Sequence, residues 1–120
     1  MNIDIYNLPK SQKKICRQLI DMALQRECTE FIDRLSRAVT NAKGNDKTPL
    51  ENYHQLFKLM HKFDKTIADT YDNLGGSRYF MTLVSLYMRG VLTDNDISVL
   101  DQELHDYINL IRNIGDNSKS

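Results

Sequence analysis

The sequence contains few of the residues that interrupt or cross-link a chain. Its 120 residues include no Trp, two Pro, two Cys and five Gly. So few Gly and Pro argue against an all-β fold, because such a fold needs a turn after each short strand. The uninterrupted apolar runs are only a few residues long, whereas a membrane-spanning helix needs about 20 apolar residues. These absences favour a globular helical protein without a membrane span.

An excess of charge of one sign is also lacking. Sixteen Lys and Arg balance sixteen Asp and Glu, which argues against a strongly basic nucleic-acid or membrane-surface protein. No basic segment leads into an apolar stretch at the start, so no secretory signal is expected. Cys16 and Cys28 would lie about 18 Å apart on one helix, too far for a disulfide. Together these features predict a cytoplasmic protein.

The apolar pattern predicts a long N-terminal helix. From about Ser11 to Ala42 no Gly or Pro occurs, and apolar residues recur at three- and four-residue steps, as in an amphipathic helix. Such a helix is about 45 Å long and carries more apolar surface than three short helices can cover. We therefore expect a homodimer in which Phe31 and Leu35 lie in the seam between the two copies.

Three shorter helices are predicted after the long one, so the expected fold is all-α. Thr48 as N-cap, Pro49 at the first helical position and Glu51 in a capping box predict the start of the second helix. Its apolar stripe is broad enough to touch two neighbours. The second helix is expected to reach about Leu74 before Gly75-Gly76, the third to run from Ser77 to Arg89, and the fourth to follow the capping pattern Thr93-Asp94-Asn95-Asp96. The domain prediction is an N-terminal arm over residues 1–10, a single helical domain over 11–114 and a disordered tail over 115–120.

Few polar side chains converge in the way that catalysis requires. His54 and His61 share one side of the second helix but lie about 10 Å apart along its axis, too far to bind one metal. The sequence has no phosphate-binding glycine loop and no nucleophile–base motif. We therefore expect no enzymatic activity, no metal and no cofactor.

A basic cluster at the start of the long helix suggests an alternative function. Lys10, Lys13, Lys14 and Arg17 are close enough in sequence to contact phosphate groups. The alternative is therefore a nucleic-acid-associated helical protein, although the zero net charge makes nucleic acid an unlikely partner.

Several short motifs follow one another in a recognisable order. Ala23-Leu24-Gln25-Arg26-Glu27 is similar to an A-Y-Q-R-E stretch, Ile67 to Asp72 is similar to I-D-x-K-Y-D, and Gly90-Val91-Leu92 forms a turn before the last helix. Over about residues 15–112 this order resembles the fluorescence recovery protein family. Members of that family accelerate the return of the photoactivated orange carotenoid protein to its resting state in cyanobacterial photoprotection. The resemblance implies a helical dimer that regulates the carotenoid protein by binding its C-terminal domain or a related domain.

The functional positions of that family differ in this chain. The second helix of family members carries a Trp, a His, an Asp and an Arg, and the matching positions here are His54, Phe57, Lys58 and Asp64. We therefore expect weak or absent activity towards the orange carotenoid protein. With His61, these residues form the predicted partner-binding or dimer surface of a non-enzymatic regulatory module.

Overall fold

Five α-helices form the part of the chain that the computed structural model describes, which is residues 7–72, 74 and 78–118. The helices are α1 (Lys10–Gly44), α2 (Pro49–Tyr71), α3 (Arg78–Met88), α4 (Asp94–Ile97) and α5 (Gln102–Ser118). No strand occurs among these residues, so the predicted all-α fold is confirmed. The predicted long N-terminal helix is also confirmed, since α1 contains 35 residues.

The chain divides into two compact units. The hairpin unit is Leu24–Asp72 and contains the second part of α1 together with α2. The four-helix unit contains the described residues of Met1–Ala23 and Asn73–Ser120, and thus the first part of α1 with α3, α4 and α5.

The core of the four-helix unit is apolar and well covered. Its side chains with at most 2% exposure are Cys16, Ala23, Phe80, Leu83, Leu86, Leu92, Leu104 and Ile108. Burial raises the pKa of the Cys16 thiol from 9.0 to about 11, because the thiolate loses its hydration in an apolar surrounding. Beside this core, the Arg17 guanidinium lies 5.0 Å from the centroid of the Tyr79 ring. One residue of the predicted basic cluster is therefore packed against an aromatic side chain.

The last predicted helix is divided into two, which corrects the expectation of three shorter helices. Thr93 caps α4 in a complete capping box with Asp96, as the sequence predicts. After Ile97 the α-helical hydrogen-bond pattern is lost. The N–H of Leu100 donates to the carbonyl of Ile97, three residues earlier, at 3.0 Å, whereas an α-helix joins residues four apart. The N–H of Asp101 donates instead to Oε1 of the buried Gln12 at 3.0 Å. Gln12 of α1 thus accepts the Asp101 N–H, which in a continuous helix would have bonded to a backbone carbonyl four residues earlier.

The remaining helix ends differ from the predictions by a few residues. α2 ends at Tyr71, where Asp72 adopts an extended conformation and its N–H bonds to the Ala68 carbonyl. The predicted stop at Gly75-Gly76 lies outside the described residues. α5 continues to Ser118, so residues 115–118 of the predicted tail are helical. Residues 1–6 of the predicted arm and 119–120 of the tail also lie outside the described part.

Asparagine side chains close the hairpin unit at the turn between α1 and α2. Asn45 and Asn52 bond reciprocally through their amides, with N–O distances of 3.0 and 3.1 Å. Asn52 Nδ2 also donates to the Ala42 carbonyl at 3.2 Å, and Asn45 Nδ2 donates to Asn41 Oδ1 at 3.1 Å. Thr48 then caps α2, accepting the N–H of Glu51 as the sequence predicts. We call Asn41, Asn45 and Asn52 the asparagine clasp.

Candidate protein-interaction surfaces

On each helix of the hairpin unit, a row of buried or half-buried residues recurs at steps of four, three and four. The α1 row is Phe31, Leu35, Ala38 and Ala42, and the α2 row is Asn52, Leu56, Leu59 and Phe63. These steps keep side chains on one side of a helix. The rows meet at both ends: the rings of Phe31 and Phe63 stack with centroids 4.0 Å apart, and Asn52 bonds to Ala42. The two helices are therefore antiparallel, and we call these residues the inner rows.

Residues next to the inner rows in sequence lie on opposite faces of the hairpin. A residue one position after an inner-row residue is turned by about 100° around the helix axis, and a residue one position before it is turned equally far the other way. Because α1 and α2 are antiparallel, the residues that follow both rows lie on one face. The residues that precede both rows lie on the other face.

The face formed by residues that follow the inner rows is largely apolar and exposed, although Ser36, Lys43 and Asp64 also lie on it. Ile32 on α1 is 63% exposed, and Tyr53, Phe57 and Met60 on α2 are 61%, 58% and 52% exposed. Leu50, which is 64% exposed, does not follow an inner-row residue but lies three residues before Tyr53, so it adjoins this face at the start of α2. We call these five residues the apolar face. Side chains of this size, each more than half exposed, leave on the order of 500 Å² of apolar surface uncovered.

The predicted surface residues on α2 lie at three different positions around this helix. Phe57 belongs to the apolar face, and Asp64, which follows Phe63 in the inner row, lies at the end of that face. His54 and His61 are exposed on the outer side of α2 and contact two aromatic rings of the apolar face. The His54 ring is 5.5 Å from that of Tyr53, and the His61 ring is stacked 6.0 Å from that of Phe57. Lys58 lies on the opposite face.

The face formed by residues that precede the inner rows carries basic side chains. Its exposed cationic residues are Arg34 and Arg37 on α1 and Lys58 and Lys62 on α2, and we call them the basic face. Two acidic residues, Glu30 and Glu51, precede the inner-row residues Phe31 and Asn52 and are also exposed. They lie towards the two ends of this face, with the cationic side chains between them.

The two residues predicted for a dimer seam lie in the inner row of α1. Phe31 is only 6% exposed and stacks on Phe63 of the same chain, whereas Leu35 is half-buried. The Phe31 side chain is thus buried and in contact with α2 within one chain, and its contribution to a seam between two copies stays a prediction.

Sequence reasoning missed several residues that form these surfaces. Ile32 and Leu50 complete the apolar face, while Arg34 and Arg37 complete the basic face. The signal that could have found them is the order of residues around each inner-row position, with a polar residue before every one of them and an apolar residue after most of them. This signal becomes readable only when the inner rows are known.

Other kinds of site are not apparent in the described part of the chain. No group of three or more His, Cys, Asp or Glu side chains there could hold a metal ion. None of its helices combines the length and the hydropathy that crossing a bilayer requires. Comparisons with protein-family models, curated proteins and solved structures find no match for this chain.

Proposed function

We propose that this chain is a non-enzymatic interaction module that forms a homodimer through the apolar face of its hairpin unit. The observation that carries the proposal is the exposure of Ile32, Leu50, Tyr53, Phe57 and Met60 on one side of two packed helices. Contiguous apolar patches of several hundred Å² on soluble proteins commonly mark interaction sites. Covering this face would remove those side chains from water and stabilise the associated form.

The partner that we propose for the apolar face is the same face of a second copy of the chain. Two hairpins that pack face to face form a four-helix bundle, which buries one apolar side of each helix pair. Two patches of about 500 Å² give roughly 1,000 Å² in total, close to the lower limit for a specific interface. The five residues of the apolar face are uncharged, and the two charged residues beside them, Lys43 and Asp64, follow inner-row residues at opposite ends of the hairpin, so a two-fold arrangement need not bring like charges together. Asp64 at the end of the face can remain in contact with water at the rim.

The resemblance to the fluorescence recovery protein family supports a regulatory role as a further part of the proposal. The partner would be the C-terminal domain of an orange carotenoid protein or a related domain. Because His54, Phe57, Lys58 and Asp64 replace the residues usual in that family, we expect weak or no acceleration of recovery. The test is the rate at which the photoactivated carotenoid protein returns to its resting state. Acceleration equal to that of a family member with the usual four residues would contradict this expectation.

Sedimentation velocity tests the proposed homodimer. We expect the wild-type chain to be dimeric at micromolar concentration and Phe57→Glu to be a folded monomer, because the substitution inserts a charge into the covered apolar face. The matched control is Val99→Glu, since Val99 is 59% exposed but belongs to the four-helix unit. This control should remain dimeric. A monomeric wild-type chain, or Phe57→Glu dimerising like the wild type, would refute the proposed interface.

A further inference from the structure

Cationic side chains on the basic face lack partners within the described part of the chain. Arg37, Lys58 and Lys62 are exposed, and their side chains make no hydrogen bond or ion pair with other described residues. Arg34 differs, since its guanidinium carbon lies 5.6 Å from the centroid of the Phe31 ring. Lys58 and Lys62 are four residues apart, which is one turn of α2 or about 6 Å along its axis. The basic face thus presents cationic side chains from two neighbouring helices, and those of Arg37, Lys58 and Lys62 are available to bind a partner.

A hollow of about 290 Å³ lies in the hairpin between α1 and α2. Its apolar lining comes from Ala38, Ala42, Leu56 and Leu59, and its polar lining comes from Asn41, Asn52 and Gln55. The hollow exists because the two alanines of the α1 inner row are too short to fill the space opposite the leucines.

The hollow opens on the same side of the hairpin as the basic face. Its exposed lining residues, Asn41 and Gln55, precede the inner-row residues Ala42 and Leu56 and therefore lie with Arg37 and Lys58. None of the lining residues is charged. The volume is at the lower end of small-molecule pockets, which are about 300–1,000 Å³, so the hollow is suited to a single apolar side chain. Cations and an apolar hollow thus occupy one face.

We infer that the basic face binds an acidic amphipathic helix of a partner protein. One apolar side chain of that helix enters the hollow over Leu56 and Leu59, and carboxylates spaced by one helical turn pair with Lys58 and Lys62. A helix that lies in the groove between two others is a common mode of peptide recognition. The carboxamides of Asn41 and Gln55 can form hydrogen bonds with polar side chains at the edge of the bound helix.

A partner protein fits these observations better than a nucleic acid. A phosphate backbone would engage the cations but would not fill an apolar hollow, and the chain as a whole has zero net charge, which weakens long-range attraction of a polyanion. The basic face is also opposite the apolar face. Binding at this site and homodimerisation can therefore occur together, and the inference does not depend on the proposed dimer.

The test uses the full chain and a fluorescently labelled synthetic helical peptide. The peptide carries Glu at positions i and i+4 and a Leu on the same side, and a second peptide carries Lys in place of each Glu. We expect the acidic peptide to bind and the basic peptide not to bind. Lys58→Glu combined with Lys62→Glu should weaken binding by about tenfold or more. Lys13→Glu with Lys14→Glu is the matched control, since it makes the same charge change in the four-helix unit, and it should leave binding unchanged.

A second variant tests the hollow without changing any charge. Ala38→Leu should fill part of the hollow and weaken binding of the acidic peptide severalfold, while circular dichroism shows an intact helical fold. Sedimentation of the Lys58→Glu, Lys62→Glu variant should match that of the wild type, which separates this inference from the proposed dimer. The inference is overturned if the acidic peptide does not bind, or if neither Lys58→Glu with Lys62→Glu nor Ala38→Leu changes its affinity. It is also overturned if duplex DNA binds in a manner that depends on Lys58 and Lys62 while the peptide does not.

Discussion

Removal of the Asn52 side chain should destabilise the hairpin unit more than removal of the Asn41 side chain of the same asparagine clasp. Asn52 is 9% exposed, and its amide takes part in three hydrogen bonds, two with Asn45 and one with the Ala42 carbonyl. Asn52→Ala deletes all three. It also leaves the carbonyl of the half-buried Ala42 without the hydrogen bond from Asn52 Nδ2.

The expected loss follows from these three hydrogen bonds. Each contributes about 1 kcal/mol net to stability, so Asn52→Ala should lower the free energy of unfolding by about 2–3 kcal/mol. The lower part of this range applies if water reaches the groups left behind. Asn41 provides the matched control, because it is exposed and accepts one hydrogen bond from Asn45. Asn41→Ala should cost no more than about 1 kcal/mol.

Urea unfolding followed by far-ultraviolet circular dichroism measures both variants. Protein concentration must be the same in all samples, because association of the folded chain would add to its apparent stability. The m-value should be unchanged, so that a shift of the midpoint reports stability alone. Losses that agree within about 0.5 kcal/mol for the two variants would show that the reciprocal amide pair does not hold the turn closed.

Three further predictions concern the packing, a buried thiol and a turn. Phe31→Ala should lower the unfolding free energy by about 3–5 kcal/mol because it leaves a cavity beside Phe63, and a loss below about 1 kcal/mol in urea unfolding would contradict the stacked arrangement. Stability should fall as the pH rises from 9.0 to about 11, because the Cys16 thiol then ionises in the unfolded chain but stays protonated in the folded one; a Cys16→Ala variant with the same pH profile would disprove this origin. Gly90 has a φ of +82°, so Gly90→Ala should cost about 1–2 kcal/mol in thermal unfolding, whereas Gly44→Ala, with open space around the added methyl group, should be neutral or stabilising.

Local signals in the sequence were sufficient for the starts of α2 and α4. Thr48 and Thr93 cap α2 and α4 as predicted, because an N-cap depends on residues within one turn of the helix. The break between α4 and α5 could not be predicted in this way. It depends on Gln12, which is 89 residues away from Asp101 in sequence and meets it only in the folded chain.

The division of α2 into an inner row and an exposed apolar face also required the fold. The sequence shows a stripe broad enough for two neighbours, and Phe57 and Phe63 are equally apolar within it. Only the contact with Phe31 identifies Phe63 as inward, which leaves Phe57 at 58% exposure. Similarly, the sequence does not distinguish Asn52 from an exposed polar helix residue. Its buried position is evident only from its hydrogen bonds to Asn45 and Ala42.

Site-specific photocrosslinking tests most directly which face of the hairpin joins two copies. A benzophenone amino acid replaces Phe57 on the apolar face in one variant and Lys62 on the basic face in the other, and each purified protein is irradiated at micromolar concentration. We predict covalent homodimers from position 57 and only uncrosslinked chains from position 62. Homodimers from position 62, or none from position 57, would contradict dimerisation through the apolar face.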